Sequence, residues 1–283
     1  MINLEEVYND EKIKELSQQL DKVICPTKMI AFNYMTEGFK TGNVWLVGGQ
    51  TGAGKTQWSL SEAIDLANNG YKVLYISTEM DYVDILNRVK NHINKEAMSN
   101  FFIELKTSIT SLADWNLTIN KCCYEGFDVI FIDYINPVLI GYDCPDDQKI
   151  VLLLEYFREI IRGTDLLYKP KEDQVRKYPC LIVMTQLNRM AGNGVPNAGV
   201  VQGSYSSANK VDLACNLVDS TQEEQTIYPS CTRALYFYKN RNINQRNKHF
   251  VYLQYDSYEL QFKQLQFEDG SQINWKAHGR TYK

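Results

Sequence analysis

The chain contains no C-x-x-C pair, and its 7 cysteines are an odd number spread over 283 residues. Cys122 and Cys123 are adjacent and poorly placed to bridge each other. That pattern excludes a disulfide framework and a zinc ribbon, and fits reduced thiols in a cytoplasmic setting, whether bacterial or in a host cell carrying a viral protein. Only 3 histidines and 7 prolines are present. There is no excess of basic charge: 30 Lys and Arg stand against 34 Asp and Glu, a formal charge of −4. A uniformly basic, histone-like protein is thereby excluded, but a nucleic-acid site confined to one surface is not. Long apolar runs are missing too. Val129–Ile132 and Ile150–Leu154 are too short to span a bilayer, so no membrane partner is expected. The opening MINLEEVYND has neither a basic n-region nor an apolar h-region, so no signal peptide is expected.

What is present is ordinary globular material, 44% hydrophobic and 23% charged, in a chain long enough for a large core. Residues 10–24 have the apolar spacing of a helix (Ile13, Leu16, Leu20, Val23, Ile24), with Asn9 or Asp10 as cap and Pro26 as terminator. From residue 43 strands and helices alternate. Asn43–Gly48, Lys72–Ile76, Asp128–Asp133 and Cys180–Thr185 read as strands; Lys55–Asn68, Tyr82–Ile93 and Gln148–Ile161 read as helices. Short apolar strands separated by helices predict an α/β fold with a mainly parallel sheet covered on both faces. After residue 211 the pattern changes to successive strands at Val211–Val218, Ala234–Tyr238, Phe250–Tyr255 and Glu259–Lys263, with Asp256-Ser257 as a hairpin turn. Residues 169–178 read as a charged surface loop and 190–206 as a mobile one.

Gly49-Gln50-Thr51-Gly52-Ala53-Gly54-Lys55-Thr56 matches G-x-x-x-x-G-K-[ST], between a predicted strand and a predicted helix that continues through Gln57. Backbone amides freed by the glycines, together with the helix N-terminus, form a nest for phosphate oxygens. Lys55 supplies a point charge and the Thr56 hydroxyl a ligand for Mg²⁺. The expected cofactors are therefore ATP and Mg²⁺. Asp133 closes an apolar strand at the sheet edge where α/β folds bind ligands, and is a second candidate metal ligand. Taken alone it is an ordinary turn residue; the phosphate loop changes that reading. Glu79 follows another strand, where a carboxylate can orient or deprotonate the attacking water, or simply begin a helix.

These residues, in this order, resemble the ATPase core of replicative hexameric helicases of the DnaB type, a RecA-like P-loop fold. The resemblance spans residues 24–263. It rests on Cys25-Pro26-Thr27, Glu37 to Gly42, the phosphate loop, Ser77-Thr78-Glu79-Met80, Phe131-Ile132-Asp133-Tyr134, Thr185-Gln186-Leu187-Asn188-Arg189 and Lys239-Asn240-Arg241-Asn242. It implies Glu79 as catalytic base and Gln186 as γ-phosphate sensor. It also implies Lys239 and Arg241 as cations reaching the next subunit's nucleotide. Residues 1–40 become a linker helix and lead-in, 41–265 the motor domain and 266–283 a polar tail. The linker helix packs either on a neighbouring subunit or on its own domain. The implied activity is ATP-driven translocation of single-stranded DNA through a ring, expected to be a hexamer. Implied partners are a loader, a primase or a protein supplying the separate N-terminal domain.

The sequence departs from the family where DNA is expected. Residues 136–147 carry three aspartates and no Lys or Arg, and the second loop offers only Arg189 and Lys210. The alternative function is a RecA-like ring ATPase serving as recombination mediator, loader or regulator without translocation.

Overall fold

The computed structural model describes residues 10–29, 33, 36–163, 171, 173–186, 204–241, 249–256 and 261–265. Its first helix, α1 (Glu11–Gln19), is capped by the Asp10 carboxylate, which accepts from the Ile13 amide. The expected helix over 10–24 is therefore shorter than its apolar spacing suggested. Val23–Cys25 instead forms strand β1, paired antiparallel with β2 (Phe39–Lys40). Asp21, at φ +59°, turns the chain, and its carboxylate accepts from Asn43 Nδ2. Cross-strand pairing of β-branched residues has overridden helical periodicity here, and Pro26 ends a strand, not a helix.

The central sheet comprises β3 (Val44–Gly49), β4 (Val73–Ser77), β5 (Phe101–Leu105), β6 (Val129–Asp133), β7 (Cys180–Gln186), β8 (Leu213–Asp219), β9 (Arg233–Asn240), β10 (His249–Asp256) and β11 (Gln261–Gln264). Its order is β11-β10-β9-β8-β3-β7-β6-β4-β5. From β8 to β5 every pairing is parallel; β9, β10 and β11 continue antiparallel. This is the expected parallel sheet with an antiparallel extension. The candidate turn at 256–257 lies at the limit of the described residues, as do most of the loops at 169–178 and 190–206.

Alternation along the strands divides the core. Trp45, Val47, Tyr75, Phe131 and Ile182 face one side, where α2 (Lys55–Asn68) packs with Trp58 and Leu60. Val44, Leu46, Ile76, Ile132 and Val183 face the other. There α4 (Leu112–Tyr124) and α5 (Asp146–Arg162) cover the sheet with Trp115, Ile119, Leu153 and Phe157. Burying one such side chain is worth about 1.5–3 kcal/mol, so both faces are firmly sealed. Between β4 and β5 runs α3 (Tyr82–Val89), shorter than the expected 82–93. Two short helices, α6 (Ser204–Lys210) and α7 (Gln222–Ile227), flank β8.

All seven cysteines are free thiols, and six are buried. No helix among the described residues is long and apolar enough to cross a membrane.

Candidate nucleotide site

Strand β3 delivers the phosphate loop at its C-terminal end, and α2 leaves from it. The loop depends on two glycines. Gly52 has φ +81° and Gly54 φ +94°, in the left-handed region. At Gly54 a Cβ would also approach the Phe262 ring to 2.9 Å. The Lys55 ammonium donates to the carbonyls of Gly49 (2.7 Å) and Gln50 (3.1 Å), so it sits within the loop. Burial lowers its pKa, while Asp133 and Glu79 act in the opposite direction.

A cavity of about 340 Å³ opens in front of the loop. Thr51, Gly52, Lys55, Thr56, Gln57, Glu79, Asp133 and Gln186 all line it. Of the expected nucleotide residues, Gly49, Gln50 and Ala53 form the loop behind it. Parallel pairing explains the convergence: β4, β6 and β7 end at the same sheet edge as β3. Asp133 is 3% exposed and burial raises its pKa; hydrogen bonds from Tyr75 and Thr56, and the charge of Lys55, oppose the rise. Glu79 is exposed to the cavity. Its segment is pinned to β6: Thr78 Oγ1 donates to the Tyr134 carbonyl at 2.7 Å, and Ser77 Oγ accepts from the Met80 amide at 2.9 Å. Gln186 donates from Nε2 to Thr51 Oγ1, joining the end of β7 to the loop.

The residue set fits Mg²⁺ with a polyphosphate. It provides one hydroxyl hydrogen-bonded to one buried carboxylate, a lysine beside them, and an amide-rich loop at a helix N-terminus.

Lys239 and Arg241 are not brought to this cavity. Because β9 runs antiparallel to β8, Arg233 lies at the phosphate-loop end and Asn240 at the opposite one. There Lys239 Nζ donates to the Ala208 carbonyl and Arg241 Nη2 to the Asn209 carbonyl at 2.8 Å, satisfying the C-terminal end of α6. Arg241, Arg158 and Arg162 surround Asp212 Oδ1 at 3.6, 3.2 and 3.5 Å. Burial and the neighbouring arginines lower Lys239 to a pKa of about 8, against the pull of Asp212. Lys210 pairs with Glu155 at 2.7 Å. Arg189 lies outside the described residues.

Three residues of the site escaped sequence reasoning. Arg88, in the last turn of α3, lines the cavity. Arg233 Nε donates to the Ala53 carbonyl at 3.0 Å, supporting the phosphate loop from β9. Tyr75 bonds Asp133 from the adjacent strand. Only Tyr75 left a local signal: a phenol inside a buried apolar strand needs a partner.

The parallel sheet, the phosphate loop at its C-terminal edge and the carboxylate two strands away define a RecA-like P-loop ATPase. Within that class, residues 25–114 match the family model described as the DnaB-like helicase C terminal domain. The fold agrees with that of a solved ATPase domain of a DnaB-like helicase, at 17% identity over 93% of this chain and 97% of that one, with a TM-score of 0.66. A DnaB-like replicative helicase, in a structure that includes its interactions with primase, matches at 17% identity over 93% of this chain and 70% of that one, TM-score 0.64. The RadB recombinase matches at 15% identity over 84% of this chain and 98% of that one, TM-score 0.57. No curated protein matched the chain.

Proposed function

We propose that the chain is a ring-forming, Mg²⁺- and ATP-dependent DNA helicase motor, working in DNA replication. The observation that carries this reading is the division of the catalytic set. Phosphate loop, Glu79, Asp133 and Gln186 converge on one cavity, while Lys239 and Arg241 stand at the far edge of the same sheet. A protomer so divided lacks the cations that stabilise charge developing at a γ-phosphate, and a neighbouring copy can supply them.

The assigned roles follow. Thr56 and Asp133 hold Mg²⁺, which neutralises phosphate charge when bound. Lys55 and the loop amides bind the β- and γ-phosphate oxygens. Glu79 orients the attacking water and accepts its proton. Gln186, tied to Thr51, passes the state of the phosphates to β7 and the chain beyond it. Ring closure has its own support. On α1, Ile13 is exposed and Leu16 and Leu20 are only half-buried, so this stripe is incompletely covered by its own domain. On α3, Tyr82, Val83 and Leu86 are all more than half exposed. Docking of α1 on the α3 face of the next subunit would bury both. Primase, loader or a separate N-terminal domain remain the further partners proposed.

A second reading, a RecA-like ring ATPase that does not translocate, is favoured by one observation. The segment 136–147 has no cation, and Lys210 is already paired with Glu155. Steady-state ATPase measured with and without single-stranded DNA, over a range of protein concentrations, separates the two. DNA stimulation together with a cooperative rise in specific activity supports the motor. Turnover indifferent to DNA overturns translocation, and indifference to concentration overturns the shared site.

A further inference from the structure

Behind Asp133 a buried chain of hydroxyls joins the two residues assigned to Mg²⁺. Tyr75 Oη donates to Asp133 Oδ2 at 2.7 Å, and Ser59 Oγ lies 2.9 Å from Tyr75 Oη. Ser59 Oγ is also 3.0 Å from the carbonyl oxygen of Thr56, one turn earlier on α2. Tyr75 and Ser59 are both 0% exposed. Register explains the meeting. Tyr75 pairs with Phe131 and Ser77 with Asp133, so Tyr75 and Asp133 are diagonal neighbours on the face that α2 covers.

Packing does not account for the phenol oxygen. The ring stacks between Phe101 and Phe131, at centroid distances of 6.2 and 6.3 Å, and phenylalanine would fill that space equally well. A hydroxyl buried among apolar groups costs free energy unless it is bonded. Here it bonds to the one carboxylate at the site assigned to metal, and Ser59 satisfies its second position. An ionised carboxylate only accepts, so Tyr75 is the donor. With Oδ2 held, the carboxylate is fixed in rotation, and its remaining acceptor capacity is left for the cavity and for Thr56.

We infer that Tyr75, backed by Ser59, is a positioning residue: it presets Asp133 for Mg²⁺ and ties it to the first turn of α2, which carries Thr56. The inference rests on reading the cavity as a Mg²⁺–nucleotide site. Groups that orient a metal ligand typically contribute 10–100-fold in metal affinity.

The test measures binding of a fluorescent, non-hydrolysable ATP analogue to the intact protein, with and without Mg²⁺, in wild type, Tyr75→Phe, Ser59→Ala and the double variant. Tyr75→Phe is expected to raise the Mg²⁺ concentration for half-maximal binding by at least about 10-fold, leaving Mg²⁺-free affinity unchanged. Ser59→Ala is expected to give a smaller shift, and to add nothing to Tyr75→Phe, because it acts through that phenol. An equal loss with and without Mg²⁺ overturns the inference in favour of simple packing, as does an unchanged Mg²⁺ requirement. Should Tyr75→Phe not fold, the Mg²⁺ requirement of Ser59→Ala decides alone. Wild type that binds no nucleotide at all would overturn the functional reading itself; normal wild-type binding with a normal Mg²⁺ requirement in Tyr75→Phe would overturn only this inference.

Discussion

The two edges of the central sheet handle charge in opposite ways. At the phosphate-loop edge, Glu79, Arg88 and Lys55 face a common cavity, and Asp133 is anchored from behind. At the other edge the charged groups are engaged within the protomer: Arg241 with Asp212 and the end of α6, Lys239 with the same helix end, Lys210 with Glu155. The first edge is preorganised to receive a ligand. The second is arranged to keep its cations in place until something exchanges for their present partners. Three arginines around one buried carboxylate leave a surplus of positive charge there, suited to approach by an anion.

The sharpest way to break this contrast is to remove one group from each edge. Arg241→Ala is expected to lower ATP turnover in the assembled protein by about 10³-fold or more while sparing nucleotide binding. Glu79→Gln is expected to do the same by about 10²–10⁴-fold. Mixing the two variants should restore part of the activity, because some interfaces then combine an intact Glu79 with an intact Arg241. No recovery on mixing would mean the two edges never meet.

Lys55→Ala comes next. Two charge-assisted contacts to phosphate are lost, so nucleotide affinity is expected to fall about 100-fold with or without assembly. Equilibrium binding below the assembly concentration checks this; dependence on assembly would erase the distinction between the edges.

The smallest effect concerns stability. Glu62 on α2 is 2% exposed, its Oε2 has no hydrogen-bond partner, and burial with the nearby Asp65 pushes its carboxyl up to about 8, against the effect of Lys28. The folded chain thus keeps a proton that the unfolded chain releases near pH 4.5. Stability contributed by this group is therefore present at low pH and declines as pH rises through that window, by at most about 5 kcal/mol. Urea midpoints at pH 5 and pH 8 are expected to differ less in Glu62→Gln than in wild type. An identical slope would show that Glu62 is not the group responsible.

Sequence carried the fold wherever burial was two-sided and local. Strands such as Val129–Asp133 are uniformly buried and read as apolar runs. β5 was missed because Phe101–Leu105 is an edge strand of mixed exposure. α4 was missed because its buried face includes Asn116 and Asn120. Asn120 is satisfied by Asn116 and Arg176, and Asn116 by Tyr156, contacts with no sequence periodicity. The site divides the same way. The phosphate loop is contiguous and legible; Glu79, Asp133 and Gln186 are strand-end residues legible through resemblance. Arg88 and Arg233 reach the site through tertiary placement, which spacing in one chain does not encode.

Strand β9 has one more consequence. Its first residue, Arg233, grips the phosphate loop through Ala53, and Arg241 follows directly on its last. Eight extended residues span roughly 26 Å. In the proposed ring each β9 is then a strut whose two ends belong to consecutive nucleotide sites. A shift at one loop is transmitted along a hydrogen-bonded rod to the next site, so the order of firing around the ring is a property of the sheet's stiffness as much as of any loop.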